Sequence, residues 1–200
     1  MRRISICFLG LTLVGLGVST ASRAQEKPAA VASAAPTSGP RAEFLKEIAY
    51  YEQRYVRLAE AVPAEKYTWR PGEGVRSIGE VYTHIVAANY AVARALGTPP
   101  PAGLDFKSIG AMSADKTKTL QALKDSFAYL QQAILARSDG DAEKPQKMFG
   151  QESTLRGSFI IVTGHFGEHL GQSIAYARTN SIVPPWTEEQ QRQQKQAQKP

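Results

Sequence analysis

Three histidines occur among the 200 residues of this chain. His165 and His169 stand four apart in a stretch that reads as helix, the spacing that stacks side chains on one face. His84 lies in a second helix-like segment, so packing the two helices side by side would converge all three imidazoles on one divalent cation. Three nitrogen ligands with positions left open describe a catalytic or substrate-binding site rather than a purely structural one. A nitrogen-only set suits Zn, Ni, Fe or Co and disfavours Mg or Ca. Such an ion lowers the pKa of a bound water toward about 7, so that hydroxide becomes available at neutral pH.

Two further residues are candidates for handling the proton of that water. At about 100° per residue, Gln172 falls roughly 20° from His165 on the side away from His169, and Glu168 falls roughly 60° from His165. Glu168 is then within reach of a metal-bound water as a general base, or else is a solvated helix glutamate. Gln172, with Tyr176 one turn later, contacts the water or a substrate, or else packs at the bundle mouth. Residues 165 to 169 also fit the His-x-x-Glu-His pattern of inverted zinc peptidases. Those enzymes need an acidic third ligand far downstream, and 31 residues follow His169. Because protonated imidazole cannot ligate, metal binding is expected to weaken as pH falls through about 6.5.

Four helical segments would have to position these groups. From Ala42 to Ala61, Phe44, Leu45, Ile48, Tyr51, Tyr55 and Leu58 recur at steps of three and four. Ser77 and Glu80 form a capping box that starts a second helix, which runs to about Leu96 before Gly97 and a run of prolines. Glu80 could also orient His84, but capping is the simpler role. His84 heads a row of small residues, Ala87, Ala88, Ala91 and Ala95. A third helix, about Asp115 to Arg137, carries Leu120, Leu123, Phe127, Leu130 and Ile134 in a bundle-seam pattern. A polar loop from Ser138 to Ser153 then leads to Thr154 as cap of a fourth helix ending near Thr179. Its expected buried side is Phe159, Ile160, Val162, Phe166, Leu170 and Ile174. Two inward-facing histidine helices in an all-α four-helix bundle are the arrangement from which bundle-core metal sites are built.

The ends read differently. Arg2 and Arg3, the apolar run Ile4 to Val18 and Ser22-Arg23-Ala24 match a secretory signal over residues 1–24, which places the protein in the periplasm or outside the cell. The apolar run, about 15 residues, falls short of the roughly 20 of a membrane-spanning helix, so no stable membrane anchor is expected. Cys7, the sole cysteine, would leave with the signal, which excludes a disulfide, thiolate ligands and a cysteine nucleophile. Removing Arg2, Arg3 and Arg23 takes the formal charge from +6 to +3, too mild to argue for nucleic acid. Residues 25–40, rich in Ala, Pro and Ser, read as a flexible linker, 41–185 as one domain, and 186–200 as a disordered polar tail.

The residues Ser-Ile-Gly-Glu-Val-Tyr-Thr-His ending at His84, and Gly-His-Phe-Gly-Glu-His-Leu-Gly-Gln ending at Gln172, resemble the DinB-like (DinB/YfiT) superfamily. The resemblance covers about Arg41 to Pro185. The family pattern of a Trp-x-Pro turn, a Ser-Ile helix start, one histidine, a His-x-x-x-His pair, Gly-Gln and a late arginine falls here on Trp69, Pro71, Ser77, Ile78, His84, His165, His169, Gly171, Gln172 and Arg178. It implies a four-helix bundle with a long crossover, and the three histidines holding zinc, nickel or a similar ion such as iron, cobalt or manganese. It also implies metal-dependent hydrolysis or thiol transfer on a small-molecule substrate, and raises the expectation of a homodimer. Members often carry a histidine just before the second ligand of the pair; this chain has Glu168 there. The thiol transferases of the family use cytosolic thiols, which an exported protein would not meet.

Overall fold

A computed structural model describes residues 35–198. The expected signal at 1–24, Cys7 and the linker up to residue 34 lie outside the described residues.

Helix α1 (Pro40–Ala61) begins two residues before the expected Ala42, because Pro40 occupies the first turn, where its missing N–H costs nothing. Helix α2 (Ile78–Ala95) starts as expected on the capping box. The Ser77 hydroxyl accepts from the Glu80 N–H at 3.2 Å, and the Ser77 N–H donates to the Glu80 carboxylate at 2.6 Å. The next two free N–H groups of α2, at Ile78 and Gly79, donate to the carbonyls of Trp69 and Tyr67. The Trp-Arg-Pro-Gly stretch is thus the turn that seats α2. A Cβ at Gly79 would lie 1.8 Å from the Ser113 carbonyl oxygen, so the chain before α4 crosses α2 where only glycine fits.

A short helix, α3 (Phe106–Ala111), capped by Asp105, precedes α4 (Lys116–Leu135), capped by Asp115. The long helix α5 (Leu155–Thr179) follows, capped by Thr154. Helix α1 packs against α4 and α5, and α2 packs against the same two. Sequential helices α1 and α2 are therefore diagonal partners, as are α4 and α5, and the expected long crossover is the α4–α5 connection. Tyr55, Phe127 and Phe166 meet at the centre, with ring centroids 5.5 to 6.4 Å apart, and the Tyr55 hydroxyl donates to the Phe166 carbonyl at 2.8 Å. The all-α four-helix expectation holds. Among the described residues no helix is long and apolar enough to cross a membrane.

Three expectations need correction. The loop from Ser138 to Ser153 contains an antiparallel hairpin, β1 (Pro145–Met148) and β2 (Gln151–Thr154), which packs on α2 and α5. Its residues are mostly polar because little of the hairpin is buried, so no apolar alternation marks it. Ile160 is 72% exposed rather than buried. Phe159, Val162 and Phe166 define the inward face of α5, and Ile160 points away from it. The segment expected to be a disordered tail forms helix α6 (Pro185–Ala197). Trp186 is half-buried at its start with the Arg54 guanidinium 4.3 Å from its ring, and Arg57 pairs with Glu189, which together tie α6 to α1.

Candidate metal centre

His84 lies in the second turn of α2, and His165 and His169 on consecutive turns of α5, where these two helices run alongside each other. One ring nitrogen from each histidine falls within 4.8 Å of the others. The Nε2 atoms of His84 and His165 are 3.1 Å apart, and the three ring centroids are 4.6 to 5.1 Å from one another. Two nitrogens about 2.0–2.1 Å from one ion would be about 3.3 Å apart in a tetrahedral shell and about 2.9 Å in an octahedral one. The His84–His165 separation falls between these values, and the third imidazole is close enough for the group to close on a single ion.

The protonation of the cluster fits as well. Burial pushes the His84 imidazole down to about 4; the Arg76 charge and the other two histidines add to the effect, and Glu168 opposes it. Burial likewise pushes His165 down to about 4, with His169 and Arg76 adding to it. Both rings are neutral at pH 7, with lone pairs free to ligate. The metal-loss threshold expected from an ordinary imidazole therefore moves to lower pH for these two.

His169 is the most enclosed of the three, 7% exposed. Its Nδ1–H donates to the Gln172 side-chain oxygen at 2.9 Å, and the Gln172 amide nitrogen donates to the Tyr176 hydroxyl at 2.9 Å. Since a carboxamide oxygen only accepts, the proton is on Nδ1 and the His169 lone pair is on Nε2. The Tyr176 ring is held edge-on by Trp69 at 5.5 Å. Gln172 is thereby hydrogen-bonded through both its oxygen and its nitrogen, and fixes the orientation of the His169 ring. The His165 Nδ1 is buried without a hydrogen-bond partner among the described residues.

The sequence-predicted group is thus brought together in part. The three histidines and Gln172 meet. Glu168 is exposed, outside the ligand cluster and without a hydrogen bond or ion pair among the described residues, although its charge acts on His84. Glu80 is committed to its cap and to Arg70, 2.9 Å away, so it does not orient His84. Two neighbours went unforeseen. The Phe149 ring at the hairpin tip lies 5.0 Å from His165, and Arg76, just before α2, acts electrostatically on His84 and His165. Arg76 carries no sequence signal beyond its charge. Phe149-Gly150 would have been legible only as an aromatic standing where a turn prefers asparagine.

No curated protein matches the chain. Two solved structures are similar: a DinB-like protein from Bacillus cereus, 20% identical, covering 71% of this chain and 93% of that one with a TM-score of 0.48, and a DinB-like protein from Bacillus subtilis, 17% identical, covering 70% and 93% with a TM-score of 0.48. The sequence pattern that defines the DinB superfamily matches residues 48–173, a span that includes the whole histidine cluster and more than half of the chain. This chain belongs to the DinB superfamily.

Proposed function

We propose that the protein is an exported metal-dependent hydrolase that binds one divalent ion, zinc or nickel in the first place, through His84, His165 and His169. The observation that carries this reading is the convergence of three imidazole nitrogens from two helices within 4.8 Å. Three protein ligands leave room for a water, and when bound the ion supplies hydroxide at neutral pH. Gln172 holds His169 in the ligating tautomer. Glu168, free at the rim, is the proton acceptor in this scheme, because the Gln172 amide is engaged at both ends. The charged start, apolar run and Ser-Arg-Ala of residues 1–24 support export.

Metal analysis of the purified mature protein tests the first half: one equivalent is expected, and an equivalent retained by a triple His→Ala variant would refute it. A panel of ester, amide and phosphate substrates, run with and without chelator and with a low-molecular-weight thiol, tests the second. A non-catalytic metal-binding bundle is the second reading, favoured by the lack of any carboxylate within the ligand cluster. Inactivity across the panel, together with a large chelator-induced fall in Tm, would select it. Turnover only with the thiol would select thiol-dependent transfer. N-terminal sequencing of the secreted or periplasmic protein should begin at Gln25.

A further inference from the structure

The three histidines are not held alike. The Nδ1 of His169 is tied to Gln172 at 2.9 Å. His165 has no such support: its Nε2 faces the Nε2 of His84 at 3.1 Å, and its Nδ1, on the other side of the ring, is buried and meets no hydrogen-bond partner among the described residues. A ligating imidazole ordinarily donates its second ring N–H to an acceptor, which fixes the plane of the ring. What His165 has instead is packing. The Phe149 ring lies 5.0 Å away, tilted by 42°, closer than the ring of its own chain neighbour Phe166 at 6.3 Å.

Phe149 reaches His165 from the tip of the hairpin between α4 and α5. The turn, Met148-Phe149-Gly150-Gln151, has φ of 49° at Phe149 and 83° at Gly150, positive at both central positions as a type I′ turn requires. Gly150 suits its place. Phe149 does not: a bulky side chain in the left-handed region is an outlier, and Asn, Asp or Gly is favoured there. Core burial does not explain the choice, since the ring is 43% exposed. The rest of the hairpin is firmly anchored. Met148 is 1% exposed, the Gln146 amide donates to the Ala95 carbonyl at 2.9 Å, and the strands pack on α2 and α5. A strained residue held against a ligand cluster by an anchored element is strain of the kind found at functional sites.

Resting on the metal reading above, we infer that Phe149 is a positioning residue of the metal centre: its ring packs on His165 and holds that imidazole with Nε2 toward His84 and the ion, in place of a hydrogen bond at Nδ1. The strain at residue 149 is what it takes to bring a ring to the one ligand that no acceptor orients from its buried side.

Replacing the ring by residues that suit the turn tests this on the mature protein. Metal-free Phe149→Asn should have a Tm equal to or above that of metal-free wild type. Its zinc affinity, in competition with a chromophoric chelator, should nevertheless fall by about 3- to 10-fold, the range of an aromatic contact. Phe149→Gly repeats the measurement without a side chain that could itself accept from Nδ1, and should lose affinity at least as much. With cobalt as a spectroscopic probe, the visible band of both loaded variants should change, and Phe149→Tyr, which keeps the ring, should restore band and affinity alike. A residue that merely stabilised the fold would lower Tm and affinity together. Unchanged zinc affinity in Phe149→Gly, a metal-free Tm of Phe149→Asn that falls along with its affinity, or failure of Phe149→Tyr to restore affinity would each overturn the inference. Wild-type protein that takes up neither zinc nor cobalt would instead sink the metal reading on which it rests.

Discussion

The protons released when a divalent metal enters the chelator-stripped protein give a direct reading of how the fold prepares its ligands. His84 and His165 are both held down to about 4. Near pH 5.5 a group of pKa 4 is about 3% protonated, so the pair together gives up about 0.06 proton on binding metal. His169 can release at most one more, whatever its own proton affinity, and a zinc-bound water of pKa near 7 adds about 0.03. The total therefore stays below about 1.1. Two ordinary imidazoles of pKa about 6.5 would each be about 91% protonated there, and the pair alone would release about 1.8 protons. Titration calorimetry repeated in buffers of different ionisation enthalpy measures this number. A release above about 1.5 near pH 5.5 would refute the claim that burial and Arg76 keep these rings neutral.

The same shifts set the acid stability of the metal-free protein. Its unfolded histidines titrate near 6.5 while folded His84 and His165 titrate near 4, so between those values the unfolded chain holds more protons and stability must fall as pH falls. Urea denaturation across pH 7 to 4 should show a loss confined to this window; a flat profile would contradict it. Gln172→Leu removes the acceptor that fixes the His169 tautomer and should weaken metal binding by about 10- to 100-fold in competition with a chromophoric chelator, with little change in fold. Gly79→Ala places a methyl 1.8 Å from the Ser113 carbonyl and should cost about 3 kcal/mol or more in chemical denaturation, far beyond an ordinary surface substitution; wild-type stability would mean that the α3–α4 crossing yields freely.

What could be read from the residues alone was whatever depends on local periodicity and local chemistry. The steps of three and four in α1, α2, α4 and α5, the Ser77–Glu80 box and the cap at Thr154 all act within a few residues of themselves, and their helices appear where expected. The histidine spacing carried the site for the same reason: one helical turn already puts His165 and His169 on one face. The short hairpin and α6 were not legible. A two-stranded ribbon of mostly exposed residues shows no apolar alternation, and a Gln-rich helix anchored by Trp186 and Arg57 has almost no apolar stripe of its own.

Tertiary structure alone decided what the site became. Bringing His84 to 3.1 Å from His165 across 81 positions required α2 and α5 to pack side by side, which depends on the summed burial of both helices and on the turn that seats Ile78 and Gly79. It also separated residues that helical angle had placed together, binding Gln172 to His169 and leaving Glu168 at the rim. The depressed proton affinity of the two rings exists only once water is excluded from them. Residue order specifies which side chains share a helix face, but distance and dielectric between helices are properties of the packed molecule.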